Sequence, residues 1–196
     1  MEHPILFSGS MVKAILAGKK TMTRRVIKPK TLDKFINLIW NPNENLNLSP
    51  WKVGDVLWVR ETWNGIRLGN GPEYWYRADE PEDADTGVLR ERWRPSIFMP
   101  RAAARLFLKV TSIRVERLQE ITEEDAIAEG IEWSELSKCA FTPPIKLHQK
   151  WPISYPFTTI KEAFKSLWDS INAKRGYGWA TNPWVWIVEF NVTKGG

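Results

Sequence analysis

Ile15-Leu16-Ala17-Gly18-Lys19-Lys20-Thr21-Met22-Thr23-Arg24-Arg25-Val26-Ile27 is the segment from which the fold is read. Upstream, Met11, Ala14, Ile15 and Leu16 have helical spacing, Ser8 or Ser10 supplies an N-cap, and Gly18 supplies a stop. Downstream, the run from Lys19 to Ile27 is extended-prone and dense in polar side chains, and Pro29 ends it. A short helix therefore feeds a strand that carries Lys20, Thr23, Arg24 and Arg25. In that strand Lys20 and Thr23 are an odd number of residues apart, so they face opposite ways unless the turn after Gly18 or a bulge intervenes.

On either side, further short strands are expected. Ile5-Leu6-Phe7 is one, and Gly54-Asp55 turns into Val56 to Trp63, followed by Tyr74 to Arg77. Leu106 to Arg117 alternates with a change of face near Thr111, the pattern of a β-bulge. Trp184 to Phe190 is apolar almost throughout, which places it centrally. Two more helices are expected, one opened by Thr122-Glu123-Glu124-Asp125 and stopped by Gly130, the other capped at Thr159 and carrying Ala163, Phe164, Leu167, Trp168 and Ile171. Residues 31–50, rich in Asn and Pro, and 133–156, which hold Pro143-Pro144, Pro152 and Pro156, read as loop-like insertions.

Composition narrows the function classes. The 196 residues suit one domain, and 28 Lys and Arg against 23 Asp and Glu give a net charge of +5, a modest bias toward polyanionic partners. With one cysteine, Cys139, and two distant histidines, His3 and His148, neither a disulfide nor a Cys/His zinc site is expected. No metal and no cofactor is implied. The lack of a long apolar window and of a signal-peptide pattern gives the expectation of a cytoplasmic protein with no membrane partner.

Together, the Gly18-Lys19-Lys20-Thr21-Met22-Thr23-Arg24-Arg25 segment, Gly54-Asp55-Val56-Leu57-Trp58-Val59-Arg60-Glu61, Ile121 to Ile131 and Trp184 to Phe190 resemble the ASCH domain family. The Pro4-Ile5-Leu6-Phe7-Ser8 opening and the Tyr177-Gly178-Trp179 loop are similar to phage and prophage members. The resemblance implies an α+β, PUA-like fold: one domain over 1–196, a mixed β-barrel flanked by short helices, with the two insertions. It also implies that RNA, DNA or a modified nucleoside binds in a cleft beside the barrel.

A bacterial branch of the family deacetylates 4-acetylcytidine with a lysine, a threonine and a glutamate. Its Gly-x-Lys-Thr-x-Thr-x-Arg motif falls on Gly18, Lys20, Thr21, Thr23 and Arg25, and its glutamate on Glu129. By this resemblance Lys20, Thr23 and Glu129 are catalytic candidates; Arg24, Arg25 and Glu61 beside them, with Arg94 and Trp179 read from their own surroundings, are the nucleobase- or nucleic-acid-binding candidates. A lysine serves as base only if burial or neighbouring cations lower its pKa; Lys19, Arg24 and Arg25 are the cations at hand. The same three catalytic groups near a phosphodiester would suit a ribonuclease, and a partner-binding protein is a third class.

From the residues alone, Lys20 to Arg25 read as a solvated basic strand, Glu129 as a solvated helix-end residue, and Glu61 as a strand residue pairing Arg60 or Arg25. Arg90, Arg92, Arg94, Arg101 and Arg105, interleaved with Trp93, read as a phosphate-tracking patch or a charged loop. Trp58, Trp63, Trp75, Trp184 and Trp186 are expected mostly in the core, and Trp179 in a loop suited to stacking on a base.

Overall fold

The computed structural model describes residues 1–28, 31, 48–68, 71–80, 93–134, 139–141, 157 and 159–193. Their architecture is α+β. Five strands form the main sheet: β1 (Glu2–Leu6), β2 (Met22–Val26), β3 (Val56–Arg60), β6 (Phe107–Arg117) and β9 (Trp184–Thr193), in the order β1-β3-β6-β9-β2. β1 runs parallel to β3, and every other pairing is antiparallel. A hairpin of β4 (Trp63–Leu68) and β5 (Gly71–Tyr76) and another of β7 (Glu132–Ser134) and β8 (Cys139–Phe141) stand apart from it.

Among the described residues the sheet is covered by α1 (Gly9–Leu16), α2 (Glu123–Ala128) and α3 (Ile160–Asn172). The caps are the expected ones. The Ser8, Thr122 and Thr159 side chains accept from the amides of Met11, Asp125 and Glu162. Gly18 and Gly130, both at positive φ, end α1 and α2.

β9 explains why the sheet has two cores. Trp186, Val188 and Phe190 join the cluster that α1 packs on, with Ile5, Phe7, Val12 and Ile15. Val185 and Ile187 point the other way, into the cluster of Ile121, Ala126, Ile131, Phe164, Leu167 and Trp168 beneath α2 and α3. A strand apolar at every position from Trp184 to Val188 is thus buried on both sides. The bulge lies between Val110 and Ser112, where the β6 to β9 register shifts.

The expected closed barrel is not what the described residues form: β1 and β2 are both edges. Phe7 donates its amide to Arg60 O, so the amides of odd-numbered β1 residues point toward β3 and position 4 points outward. That position is Pro4, which has no N–H, so the outer edge of β1 lacks its central donor for another strand. What links β1 to β2 is a side chain: Arg25 Nη2 donates to Leu6 O at 2.8 Å.

Three other expectations need amending. The run from Val56 to Trp63 breaks at Glu61 and Thr62 into β3 and β4. Trp75, on the outer face of the β4–β5 hairpin, is 44% exposed, because Trp63 and Tyr74 fill the inner face. Within residues 133–156, read as loop-like, the described residues form part of the β7–β8 hairpin, and Ala140 bridges to Phe157 just beyond that stretch. The remainder of both insertions lies outside the described residues.

Burial on both faces of β9 makes a quantitative prediction. Ile187→Ala, at a fully buried position, should lower unfolding free energy by about 2–5 kcal/mol. Val192→Ala, on the same strand but 55% exposed, should stay within about 0.5 kcal/mol of wild type. Urea denaturation of the two variants checks the pair; equal costs would contradict the two-faced core.

Candidate active site at the edge strand

The residues from Lys19 to Thr21 are strung between two helix ends. The Lys19 and Lys20 amides donate to Ala14 O in α1, and the Thr21 amide donates to Ala128 O in α2. Carbonyl-rich helix ends favour a cation. Lys20 exploits this: its Nζ donates to the Glu129 carbonyl at 2.9 Å and to Glu129 Oε2 at 2.5 Å. Both residues are buried, Lys20 at 1% exposure and Glu129 at 4%.

Gly130 permits this approach. At φ +97° it turns the chain where a side chain would be strained, and a Cβ there would lie 3.4 Å from the Cβ atoms of both Ala14 and Lys20. The glycine that stops α2 therefore also sets Glu129 against Lys20.

The alternation of β2 divides the remaining candidates between the two faces. Thr23 and Arg25 lie in register with Val188 and Trp186, on the α1 side; Met22 and Arg24 lie with Glu189 and Ile187, on the α2 and α3 side. Lys20 precedes β2, so strand alternation does not govern it. Its Nζ is 5.8 Å from the Phe7 ring centroid, and the Arg25 guanidinium lies over the same ring at 5.0 Å. Lys20, Thr23 and Arg25 thus belong to one side, which removes the objection from odd spacing. Thr23 is buried, and its hydroxyl makes no hydrogen bond among the described residues.

Burial pushes the Lys20 amine below the ordinary lysine range. Glu129 opposes that shift, while Arg25 and Arg24 act in the same direction as burial. Arg25 is also pushed down by burial, with Glu129 opposing and Arg175 adding to it. Arg175 is exposed and Arg25 half-buried, so positive charge runs from the surface inward to Lys20. Arg24 Nε, Arg25 Nε and Glu129 Oε1 are buried without a hydrogen-bond partner among the described residues.

Arg24 does not form part of a solvated basic strand. Its side chain is fully buried, with Nη2 bonded to Asp125 Oδ2, and Glu129 Oε1 and Glu116 Oε2 at 3.6 and 3.7 Å. Arg24, Ile187 and Arg114 lie in one row across β2, β9 and β6. Asp125, from α2, bridges the two arginines above Ile187, and Arg114 also binds Glu116 and Glu189.

The other candidates lie elsewhere. Glu61 is paired with neither Arg60 nor Arg25; Arg105 grips its carboxylate with Nε and Nη2 at 2.9 and 3.1 Å and binds Asp79 through Nη1. Burial raises the Glu61 pKa, and Arg105 counteracts this. Arg94 is exposed, with its guanidinium 5.2 Å from the Trp63 ring. Arg101 pairs with Glu2, and Arg90 and Arg92 lie outside the described residues. Trp179 is half-buried, edge-on to Phe164 at 6.3 Å and near Lys161 Nζ at 5.9 Å, so its ring is already engaged by α3. A separate surface pocket of about 240 Å³ is lined by Glu123, Ile127, Trp133, Thr159 and Ile160 and includes none of the catalytic candidates.

Sequence reading missed Phe7, Asp125, Arg114, Glu116, Glu189 and Arg175. Glu189 carried a signal, being the one charge in the apolar run from Trp184 to Phe190. Among the described residues no cluster of His, Cys, Asp and Glu is arranged to hold a metal ion, and no helix is long and apolar enough to cross a membrane. Comparisons of the chain with protein-family models, curated proteins and solved structures give no match.

Followed by NMR at its Nζ, Lys20 should titrate below the ordinary lysine value of 10.5, and Glu129→Gln should move it lower still, because the largest stabiliser of the ammonium is gone. A midpoint unmoved or raised in that variant would contradict the pairing. Gly130→Ala should destabilise the chain by about 1–2 kcal/mol, the scale of a side chain held in left-handed backbone.

Proposed function

We propose that this protein binds a nucleobase acylated on its exocyclic amine and hydrolyses that amide, as a 4-acetylcytidine-type amidohydrolase of ASCH, PUA-like character. The observation that carries this reading is the buried Lys20 ammonium bonded twice to Glu129, on the same side of β2 as a buried threonine with an uncommitted hydroxyl. A phosphate-binding strand would instead hold its cations at the surface.

In this mechanism Lys20, as the neutral amine, takes the Thr23 hydroxyl proton while Thr23 Oγ attacks the acyl carbon. Arg25 and backbone amides stabilise the resulting oxyanion. The proton gained by Lys20 passes through Glu129 to the leaving exocyclic nitrogen, and the C–N bond breaks. Water then enters and attacks the ester carbon as Lys20 accepts its proton; Lys20 returns that proton to Thr23 Oγ as the ester C–O bond breaks, which restores the hydroxyl and the neutral amine and releases the carboxylic acid. Burial of Lys20 favours the neutral form this requires.

A second reading, binding of RNA or DNA strands, is favoured by a specific observation. Arg77 and Arg94 lie over the rings of Trp93 and Trp63, near each other at the strand end where Trp63 pairs with Tyr76 and bridges to Arg94. Trp63 is part of the core, but Arg94 is exposed and Trp93 half-buried, so this strand end offers a phosphate donor beside one partly accessible indole face.

Hydrolysis of 4-acetylcytidine, with a panel of other acylated cytidines, decides between the two. Wild-type turnover is expected, with Lys20→Ala and Thr23→Ala each lowering it by about 10²-fold or more. No turnover on any substrate, together with RNA or DNA affinity that falls steeply with salt and whose salt slope shrinks in Arg94→Ala, would establish the second reading instead.

A further inference from the structure

Arg24 stands between Thr23 and Arg25 in sequence yet faces away from both, fully buried on the α2 and α3 side. It meets groups from every element packed on it. Asp125 and Glu129 come from α2 and its end, Glu116 from β6, the Phe164 ring at 5.9 Å from α3, and Met22 Sδ at 3.3 Å from its own strand. Arg114 and Glu189 lie one step further out, bonded to each other, with Arg114 also bonded to Asp125. An arginine needed only to fasten α2 to the sheet would require no more than Asp125.

The additional feature is how the Glu129 carboxylate is divided. Oε2 is bonded to Lys20 at 2.5 Å, while Oε1, which has no hydrogen-bond partner among the described residues, lies 3.6 Å from Arg24 Nη1. The carboxylate thus sits at the sheet edge, with one cation on each side of β2. In surroundings of low polarity, charge shared with a second cation is withheld from the first.

We propose that Arg24 is a positioning residue for the Lys20–Glu129 pair: it engages one carboxylate oxygen, presents the other to Lys20, and so keeps the ammonium from holding the whole carboxylate. Arg24 touches no reacting atom in the mechanism above. That Lys20 is a base rests on the proposed function; the division of the carboxylate does not. Lys20 itself faces Glu129 from α2, Arg24 and Arg25 from β2, and the Phe7 ring beyond β1. Without Arg24, the Glu129 charge acts on Lys20 alone and one repelling cation disappears, so the neutral amine forms only at higher pH.

The test is titration of Lys20 Nζ by NMR in the full chain. Arg24→Gln should move the midpoint up by about one pH unit, which is about tenfold less neutral amine at fixed pH. Arg24→Lys, which keeps the charge, should restore the wild-type midpoint. Asp125→Asn strips Arg24 of its nearest counter-charge while leaving Arg114 in place, and should move the midpoint down. An unmoved or lowered midpoint in Arg24→Gln, an Arg24→Lys chain that behaves like Arg24→Gln, or an unmoved midpoint in Asp125→Asn overturns the proposal; the last keeps the test decisive if Arg24→Gln fails to fold. Turnover of acylated cytidines is read separately. Shifted midpoints without turnover overturn the amidohydrolase reading and support the role of Arg24, whereas turnover with unmoved midpoints does the reverse.

Discussion

An ammonium group removed from water must find a carboxylate, carbonyls or both, because an unpaired buried charge costs several kcal/mol. In this protein that requirement falls on Lys20, and much of the local architecture follows from it. The chain must reverse at Gly18 so that Lys20 turns inward, α2 must end where the Glu129 carbonyl just beyond it can accept from Nζ, and Gly130 must turn tightly enough to bring the Glu129 carboxylate alongside. Two helices and an edge strand thus converge on one side chain, and the hydrogen bonds of Lys20 and Thr21 to Ala14 and Ala128 hold them there.

The ionic row on the opposite face belongs to the same solution. Burying Lys20 beside Arg24 and Arg25 concentrates positive charge at one strand, and the acids of β6, β9 and α2 answer it. Asp125 is the pivot, at once in the first turn of α2 and between two arginines held two strands apart by Ile187. Buried ion pairs contribute less net stability than their geometry implies, because desolvation offsets much of the attraction; their strength is in fixing register. Here they fix the rotational setting of α2 on the sheet, and therefore the direction in which Glu129 points.

The sequence disclosed local features best, because caps, turns and alternation depend on neighbouring residues. The Ser8, Thr122 and Thr159 caps, the Gly18 and Gly130 stops, the bulge at Thr111 and the central place of β9 could all be read this way. Lys20 and Glu129, 109 residues apart, were matched through family resemblance rather than spacing. The strand order could not be read, since β9 pairs with β6 and β2 across long stretches of chain, and neither could the open edge of β1, which depends on the direction in which Pro4 points. Arg24 was misjudged as solvated for the same reason: its acids come from β6 and α2, distant in sequence and adjacent only after folding. Arg105, which binds Glu61 and Asp79 from separate elements, is a second case.

The Arg25 bond to Leu6 gives this sheet a mechanical property that a hydrogen-bonded seam would lack. Along a ladder, separating two strands means breaking a row of amide bonds together; among the described residues, β1 and β2 are instead joined by a guanidinium on a long stem, lying over the Phe7 ring. A few side-chain rotations, on a picosecond-to-nanosecond scale when unhindered, suffice to release it and leave every backbone bond of the sheet intact. Release of that bond costs the sheet none of its ladder, and the residue that fastens the two edges is the one whose charge lies between the surface and Lys20.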